Sequence, residues 1–210
     1  MKEIDFGQER IDIGKRIISF IGPEGSGKTT IAKLLSAESG KPYLTTGDTL
    51  REYAANDPGR LGEACRIMFS EHTYLAGDLL LEIMSDRFSR EDTENGFILD
   101  GGFRTVEETR DFTSTLEKAG RDLPITVIYL NIPIEVCFER FITGENARKR
   151  SDDTENGLKL RLNKFYTQLD ERLNIIRDNP NWNIVEIDAT DSVEFVYDKV
   201  RTCIAGPAAA

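Results

Sequence analysis

The sequence is poor in the residues that build metal centres and disulfide frameworks. Its 210 residues include one histidine, His72, and three cysteines, Cys65, Cys137 and Cys203, which lie far apart in the chain. A transition-metal site needs several nitrogen or sulfur ligands, and a disulfide framework needs paired cysteines. These shortages argue against both kinds of site and indicate reduced thiols, which we expect to lie in the core.

Long hydrophobic runs are also missing. No stretch approaches the roughly 20 apolar residues that a membrane-spanning helix requires. Residues 1–16 alternate charge with isolated apolar residues and lack the hydrophobic region of a secretory signal. Hydrophobic residues make up 39% and charged residues 30% of the chain, which is typical of a globular domain. We therefore expect a cytoplasmic protein without a membrane partner, and we expect it to be a monomer.

The chain has no excess of positive charge. It carries 37 aspartate and glutamate residues against 27 lysine and arginine residues, a formal net charge of −10. Such a surface repels a polyphosphate backbone, so nucleic acid is not an expected partner. If the protein binds a small anion, its cations must converge at one place.

Short apolar runs rich in β-branched residues predict strands buried on both faces. The runs occupy residues 16–22, 42–46, 96–100, 125–132 and 183–188. Between them, apolar residues recur at helical spacing. This alternation predicts an α/β fold, a doubly wound parallel sheet of about five strands with helices on both faces.

Two stretches do not fit the alternation. Residues 46–90 contain several helical patterns but no strand, and residues 143–153 are almost wholly polar. We expect both to project from the core. Residues 1–14 and 207–210 are predicted to be extensions of a domain that spans residues 15–206.

Residues 22–29, "GPEGSGKT", fit the phosphate-loop pattern G-x-x-x-x-G-K-[ST] in full. The loop follows the first predicted strand and precedes an amphipathic helix, which argues against an accidental glycine-rich turn. In such a loop the backbone N–H groups point at phosphate oxygens. Lys28 then reaches the outer phosphates and the Thr29 hydroxyl can bind Mg²⁺. The motif predicts binding of a nucleoside triphosphate.

Three further blocks follow in order: "TTGDTLRE", "GFILDGGFRT" and the arginine-rich "RKRSDD" before a predicted long helix. Together with the phosphate loop they resemble the adenylate kinase family of nucleoside monophosphate kinases, and the resemblance covers residues 16–205. It implies a five-stranded core of the P-loop NTPase type. It also implies a helical monophosphate-binding insertion at residues 45–75 and a short lid at residues 143–153.

The resemblance implies transfer of the terminal phosphoryl group of Mg-ATP to a nucleoside monophosphate, with AMP favoured. It assigns catalysis to Lys28, Arg104, Arg150 and Arg161. It assigns ATP binding to Gly22, Gly25, Ser26, Gly27, Lys28, Thr29, Thr30 and Arg140. It assigns monophosphate binding to Thr46, Gly47, Arg51, Gly101, Arg104, Glu108, Arg150 and Arg161. Mg²⁺ would be held by Thr29 and by Asp100, the latter directly or through water. Converging arginines suit this chemistry because it gathers negative charge in one cleft.

The chain departs from the family pattern at several positions. Gly144 stands where the family usually has a lid arginine. The family motif D-G-F-P-R-T is replaced by D-G-G-F-R-T, so that Phe103 stands in place of proline, and we expect Gly102 to supply the unusual backbone geometry. Glu108 replaces a glutamine that reads adenine in many members, and a carboxylate only accepts hydrogen bonds.

These departures leave alternatives open. Guanine presents two adjacent donors that would suit Glu108, and the "RSDD" lid also resembles that of uridylate/cytidylate kinases, so GMP, UMP and CMP are alternative acceptors. Solvated surface positions are the alternative for Arg51, Arg104, Arg140 and Arg161. A nucleotide-binding protein with weak or no kinase activity is the alternative function.

Overall fold

The computed structural model describes residues 10–71, 75–142 and 154–205. Within them, five parallel strands form one sheet in the order β2-β3-β1-β4-β5. The strands are β1 (Ile17–Ile21), β2 (Tyr43–Thr45), β3 (Ile98–Asp100), β4 (Ile125–Asn131) and β5 (Trp182–Asp188). The predicted doubly wound five-stranded sheet is confirmed.

Helices alternate with the strands, as the apolar periodicity predicts. They are α1 (Lys28–Ser39), α2 (Thr46–Asn56), α3 (Arg60–Glu71), α4 (Gly77–Ser89), α5 (Val106–Lys118), α6 (Ile134–Ile142), α7 (Glu155–Thr167), α8 (Leu169–Asp178) and α9 (Val193–Ala205). No helix in the described ranges is both long and apolar enough to cross a membrane.

The central strand β1 is buried along its whole length and separates two apolar layers. Its side chains alternate, as in any strand, so Ile18 and Phe20 pack in one cluster with α1 and α9. Ile17 and Ile21 pack in the other cluster with α5 and α8. The sheet is thus covered on both faces, and ligands can reach it only at the strand ends.

The stretch that the sequence predicts to be helical and free of strands contains α2, α3 and α4 in the structure. These helices have a small core of their own, formed by Leu50, Tyr53, Cys65 and Ile83. Of the two misfit stretches, only this one can be placed, because the predicted lid at residues 143–153 lies outside the described residues.

Two expectations need correction. The predicted long helix after the lid is divided at Gln168, whose φ of −107° and ψ of 0° separate α7 from α8. Cys65 and Cys137 are buried free thiols, but Cys203 is exposed. It lies on the outer side of α9, whose inner side carries Val196, Val200 and Ile204.

Candidate active site

The phosphate loop, residues 22–29, joins β1 to α1 and needs glycine at three positions for two reasons. Gly25 and Gly27 have φ of 83° and 88°, the left-handed region that suits glycine. Gly22 lacks space instead, because a Cβ there would lie 2.5 Å from the carbonyl oxygen of Leu130. The sequence therefore forces the tight curl that directs backbone N–H groups inward at the start of α1.

The Lys28 ammonium lies over this loop. Its Nζ donates to the carbonyl oxygens of Gly22 and Pro23, both at 2.8 Å, and approaches Ser26 Oγ at 3.4 Å. The lysine thus brings a positive charge to the concave side of the loop, where phosphate oxygens are predicted to bind. Ser26 is buried, whereas Thr30 points away at an exposed position of α1.

The two predicted magnesium ligands are in contact. Asp100 ends β3, which is paired with β1 so that Asp100 lies beside Phe20. The Thr29 hydroxyl donates to Asp100 Oδ2 at 2.6 Å, and the Asp100 side chain is held at the carboxyl end of the sheet with a residue exposure of 7%. Hard oxygen donors of this kind fit Mg²⁺, which usually takes one or two protein ligands and fills its other positions with phosphate oxygens and water. Among the residues described, no group of three or more His, Cys, Asp or Glu side chains could hold a metal ion.

Tyr43 is a site residue that the sequence analysis missed. Its hydroxyl donates to the same Oδ2 of Asp100 at 2.7 Å. Burial, followed by the hydrogen bond and the charge of Asp100, raises the pKa of Tyr43 above its ordinary value, so the hydroxyl remains a donor at neutral pH. From sequence, a tyrosine inside a predicted strand is expected to be a core residue. Its contact with Asp100 depends on the pairing of β2 with β3, which the sequence alone does not give.

The DGGFRT loop, residues 100–105, follows β3 and presents Arg104 at the surface. Gly101 and Phe103 adopt left-handed backbone, with φ of 77° and 56°, whereas Gly102 does not. The expectation for Gly102 was therefore wrong: it is needed for space, because a Cβ there would lie 2.6 Å from Leu99 Cδ2. Arg104 Nε donates to the carbonyl oxygen of Gly101 at 2.7 Å, which turns the guanidinium back over the loop.

Glu108 contacts the same loop. Its Oε2 accepts a hydrogen bond from the backbone N–H of Arg104 at 2.9 Å. Its own N–H donates to Thr105 Oγ1 at 3.1 Å, so Thr105 caps α5. One carboxylate oxygen of Glu108, the residue predicted to contact the base, therefore already accepts a backbone hydrogen bond.

The third group of predicted residues begins α2, directly after β2. Thr45 caps the helix by accepting from the N–H of Asp48, which places Thr46 and Gly47 in the first turn. The Arg51 side chain is 60% exposed and its Nη2 lies 2.6 Å from Asp48 Oδ1. This guanidinium is the first cause that holds the pKa of Asp48 below its usual range.

Arg140 and Arg161 lie on the two helices that follow β4, Arg140 on α6 and Arg161 on α7. Arg140 Nη1 donates to Gly25 O at 3.1 Å and Nη2 donates to Thr190 O at 2.9 Å, so Arg140 joins the phosphate loop to the segment after β5. Arg161 on α7 lies 5.4 Å from the centroid of the Phe141 ring on α6. Arg150, predicted to close over the site, is outside the described residues.

Most of the predicted site residues therefore lie at or just after the carboxyl ends of β1, β3 and β2. Asp100 is in register with Phe20 on one side and Thr45 on the other. The phosphate loop, the DGGFRT loop and the start of α2 follow these three strand ends directly. Sheets of this kind bind their ligands at this edge. On an acidic protein, the cations that follow these strand ends, Lys28, Arg51 and Arg104, suit phosphate groups.

Comparison with known proteins agrees with this arrangement. Residues 20–178 match the family model described as adenylate kinase. The chain is 35% identical to an adenylate kinase of Leptospira biflexa over 159 residues, which cover 73% of this chain and 81% of that protein. It is 28% identical to an adenylate kinase of Trichodesmium erythraeum over 186 residues (87% and 94%). It is 29% identical to one of Renibacterium salmoninarum over 192 residues (90% and 96%).

The fold and the loop define a nucleotide-binding P-loop protein, and the matches define its class of enzyme as a phosphotransferase. The chain belongs to the adenylate kinase family. The resemblance drawn from its four sequence blocks is confirmed.

Proposed function

We infer that this protein is a nucleoside monophosphate kinase that transfers the terminal phosphoryl group of Mg-ATP to a monophosphate, with AMP the favoured acceptor. The observation that best supports the inference is the contact between Thr29 and Asp100. It joins the phosphate loop to the strand that leads directly into Arg104, so a triphosphate and a second phosphate can meet at one edge of the sheet.

The phosphate loop would hold ATP. Its backbone N–H groups bind phosphate oxygens, and Lys28 exchanges its contacts with the carbonyls of Gly22 and Pro23 for the outer phosphates. Thr29 and Asp100 would hold Mg²⁺. When bound, this ion neutralises charge that develops on the transferring group. Arg140 would stabilise the loop through its hydrogen bond to the carbonyl oxygen of Gly25.

The acceptor would bind between the DGGFRT loop and the start of α2. Arg104 and Arg51 are the cations that these segments present, and Thr46, Gly47 and Gly101 line the same edge. An oxygen of the monophosphate attacks the terminal phosphorus of ATP while the bond to the bridging oxygen of ADP breaks. Because little covalent chemistry falls to the protein, catalysis consists of positioning and charge neutralisation, to which Arg161 and Arg150 would contribute.

GMP is the second candidate acceptor, and Glu108 is the observation that favours it. Only Oε2 of its carboxylate is engaged by the backbone of Arg104. The other oxygen could accept from the adjacent donors of guanine, but it would repel the acceptor nitrogen of adenine. UMP and CMP remain alternatives on the lid sequence.

The test is a coupled assay of diphosphate formation with Mg-ATP and each of AMP, GMP, UMP and CMP. We expect the highest kcat/KM with AMP. A higher value with GMP would favour the second candidate acceptor over AMP. Tight binding of ATP without diphosphate from any of the four would overturn the kinase proposal and favour a nucleotide-binding protein without transferase activity.

A further inference from the structure

One peptide group in the DGGFRT loop is held at both of its polar ends. The carbonyl oxygen of Phe103 accepts from Arg172 Nη1 at 2.8 Å. The N–H of Arg104, which belongs to the same peptide group, donates to Glu108 Oε2 at 2.9 Å. A cation thus holds the negative end of the peptide dipole and an anion holds the positive end, and hydrogen bonds to charged groups are the stronger kind.

Arg172 has an unusual position for an arginine. Its exposure is only 1%, so the side chain is almost completely buried, although a guanidinium is a charged group. Its Nη2 donates to Phe165 O at 2.6 Å and its Nε to Gln168 O at 3.1 Å. Burying a charge is costly unless its donors are satisfied, and here three donors are satisfied by main-chain carbonyls.

The contacts of Arg172 connect two parts of the site. Phe165 and Gln168 lie at the break between α7 and α8, and α7 carries Arg161. Phe103 lies 69 residues earlier in the chain, directly before Arg104. A single side chain therefore fixes the DGGFRT loop relative to the helix of a predicted catalytic arginine.

The DGGFRT loop needs stabilising contacts because one of its residues has an unfavourable backbone conformation. Phe103 has a φ of 56°, which is rare for a bulky residue. Its ring is buried, with centroids 4.6 Å from Phe112 and 5.2 Å from Trp182. Phe103 stands where the family motif has proline, so the rigidity that a proline ring would give must come from contacts.

We propose that Arg172 and Glu108 are positioning residues that clamp the Phe103–Arg104 peptide and so direct Arg104 toward the acceptor phosphate. The kinetic consequence rests on the proposed function, whereas the clamp itself does not. Burial lowers the pKa of Arg172, and the negative charge of Glu108 acts in the opposite direction, which is consistent with the pairing.

The kinetic test compares Arg172→Gln with Arg177→Gln, a matched change at an exposed arginine of the same helix. We expect Arg172→Gln to raise the KM for the monophosphate on the order of tenfold, because a small misplacement of a binding group is enough. The KM for ATP should stay within about twofold, since the phosphate loop makes no use of this contact. General loss of structure would lower the active fraction without separating the two KM values.

The structural test measures hydrogen exchange of the Arg104 amide by NMR in the wild type, Arg172→Gln and Glu108→Ala. We expect exchange on the order of tenfold faster in both variants and unchanged in Arg177→Gln. If Arg172→Gln does not fold, Arg172→Lys takes its place in both tests; a single ammonium cannot reproduce the planar fork, so the same changes are expected at smaller size.

The two tests separate the two proposals. If the wild type makes no diphosphate, the proposed function fails and amide exchange still decides the clamp. If the wild type is active, and the Arg172 variant keeps both its monophosphate KM and its Arg104 amide protection, the clamp is overturned.

Discussion

The phosphate loop and the DGGFRT loop leave neighbouring strands of one sheet, but they are held in different ways. The phosphate loop takes its shape mainly from its own residues: Gly25 and Gly27 take the left-handed conformations, and Lys28 bonds to carbonyls five and six residues before it. Arg140 adds one contact from a distant part of the chain. The DGGFRT loop places a phenylalanine, Phe103, in such a conformation and depends on Arg172, far along the chain.

The difference has a physical consequence. A loop built mainly from local contacts is less sensitive to changes elsewhere in the chain. A loop held through a distant helix depends on how that helix packs. We therefore expect changes near the phosphate loop to act on ATP and on the rate of transfer, and changes near the DGGFRT loop to act on the acceptor.

The largest effect is expected at Lys28. Lys28→Ala removes the cation over the phosphate loop, and we expect kcat to fall on the order of a hundredfold or more while the melting temperature changes little. Diphosphate formation measured alongside Lys118→Ala, at an exposed lysine of α5, is the check. A variant that keeps more than about half of the wild-type kcat would contradict the assigned role.

Arg104→Ala tests the other side of the comparison. Loss of a charge-assisted bond to phosphate is worth about 1.5–3 kcal/mol, so the KM for the monophosphate should rise about tenfold to a hundredfold. The KM for ATP should remain nearly unchanged. Arg110→Ala is the matched control, because Arg110 is an exposed arginine of α5, the helix that follows the DGGFRT loop, and it pairs with Glu171 at the surface. Equal changes in both KM values would place Arg104 outside the acceptor site.

The same division explains how far the sequence could be interpreted. The phosphate loop, the strand before it and Asp100 were predictable because adjacent residues carry the whole signal. Arg172 was not identified, since an arginine on a helix usually lies in solvent. Its spacing did hold a signal: it falls on the apolar stripe of Leu169, Leu173 and Ile176. Which carbonyls it reaches depends on tertiary packing, which no local pattern contains.

A substitution at Gly102 tests the steric packing of the DGGFRT loop without changing any charged group. A Cβ at Gly102 would lie 2.6 Å from Leu99 Cδ2 and 3.1 Å from Ser19 Oγ, inside the core. We expect Gly102→Ala to lower the free energy of unfolding by about 1–3 kcal/mol, as overpacking does. Gly77→Ala is the control, because a Cβ at the start of α4 meets no atom within 4 Å. Equal stability of the two variants in urea unfolding would show that the loop has room to shift.

The smallest effect is expected at Tyr43, where the two loops meet through Asp100. Tyr43→Phe removes one of two hydroxyls that donate to Asp100 Oδ2 and leaves Thr29 in place. The carboxylate keeps one donor and gains access to water, so we expect the Mg²⁺ concentration for half-maximal activity to change only about two- to fivefold.

Tyr197→Phe is the matched control, because Tyr197 on α9 makes the same kind of bond to the buried Glu38 of α1, and neither residue belongs to the predicted site. Both variants should lose about 1 kcal/mol of stability, but only Tyr43→Phe should shift the Mg²⁺ dependence. The shift should be the same between pH 6 and pH 9, because the raised pKa of Tyr43 keeps its hydroxyl protonated throughout that range. An unchanged Mg²⁺ dependence would mean that Thr29 alone orients Asp100, and the contact between the two loops would then be independent of β2.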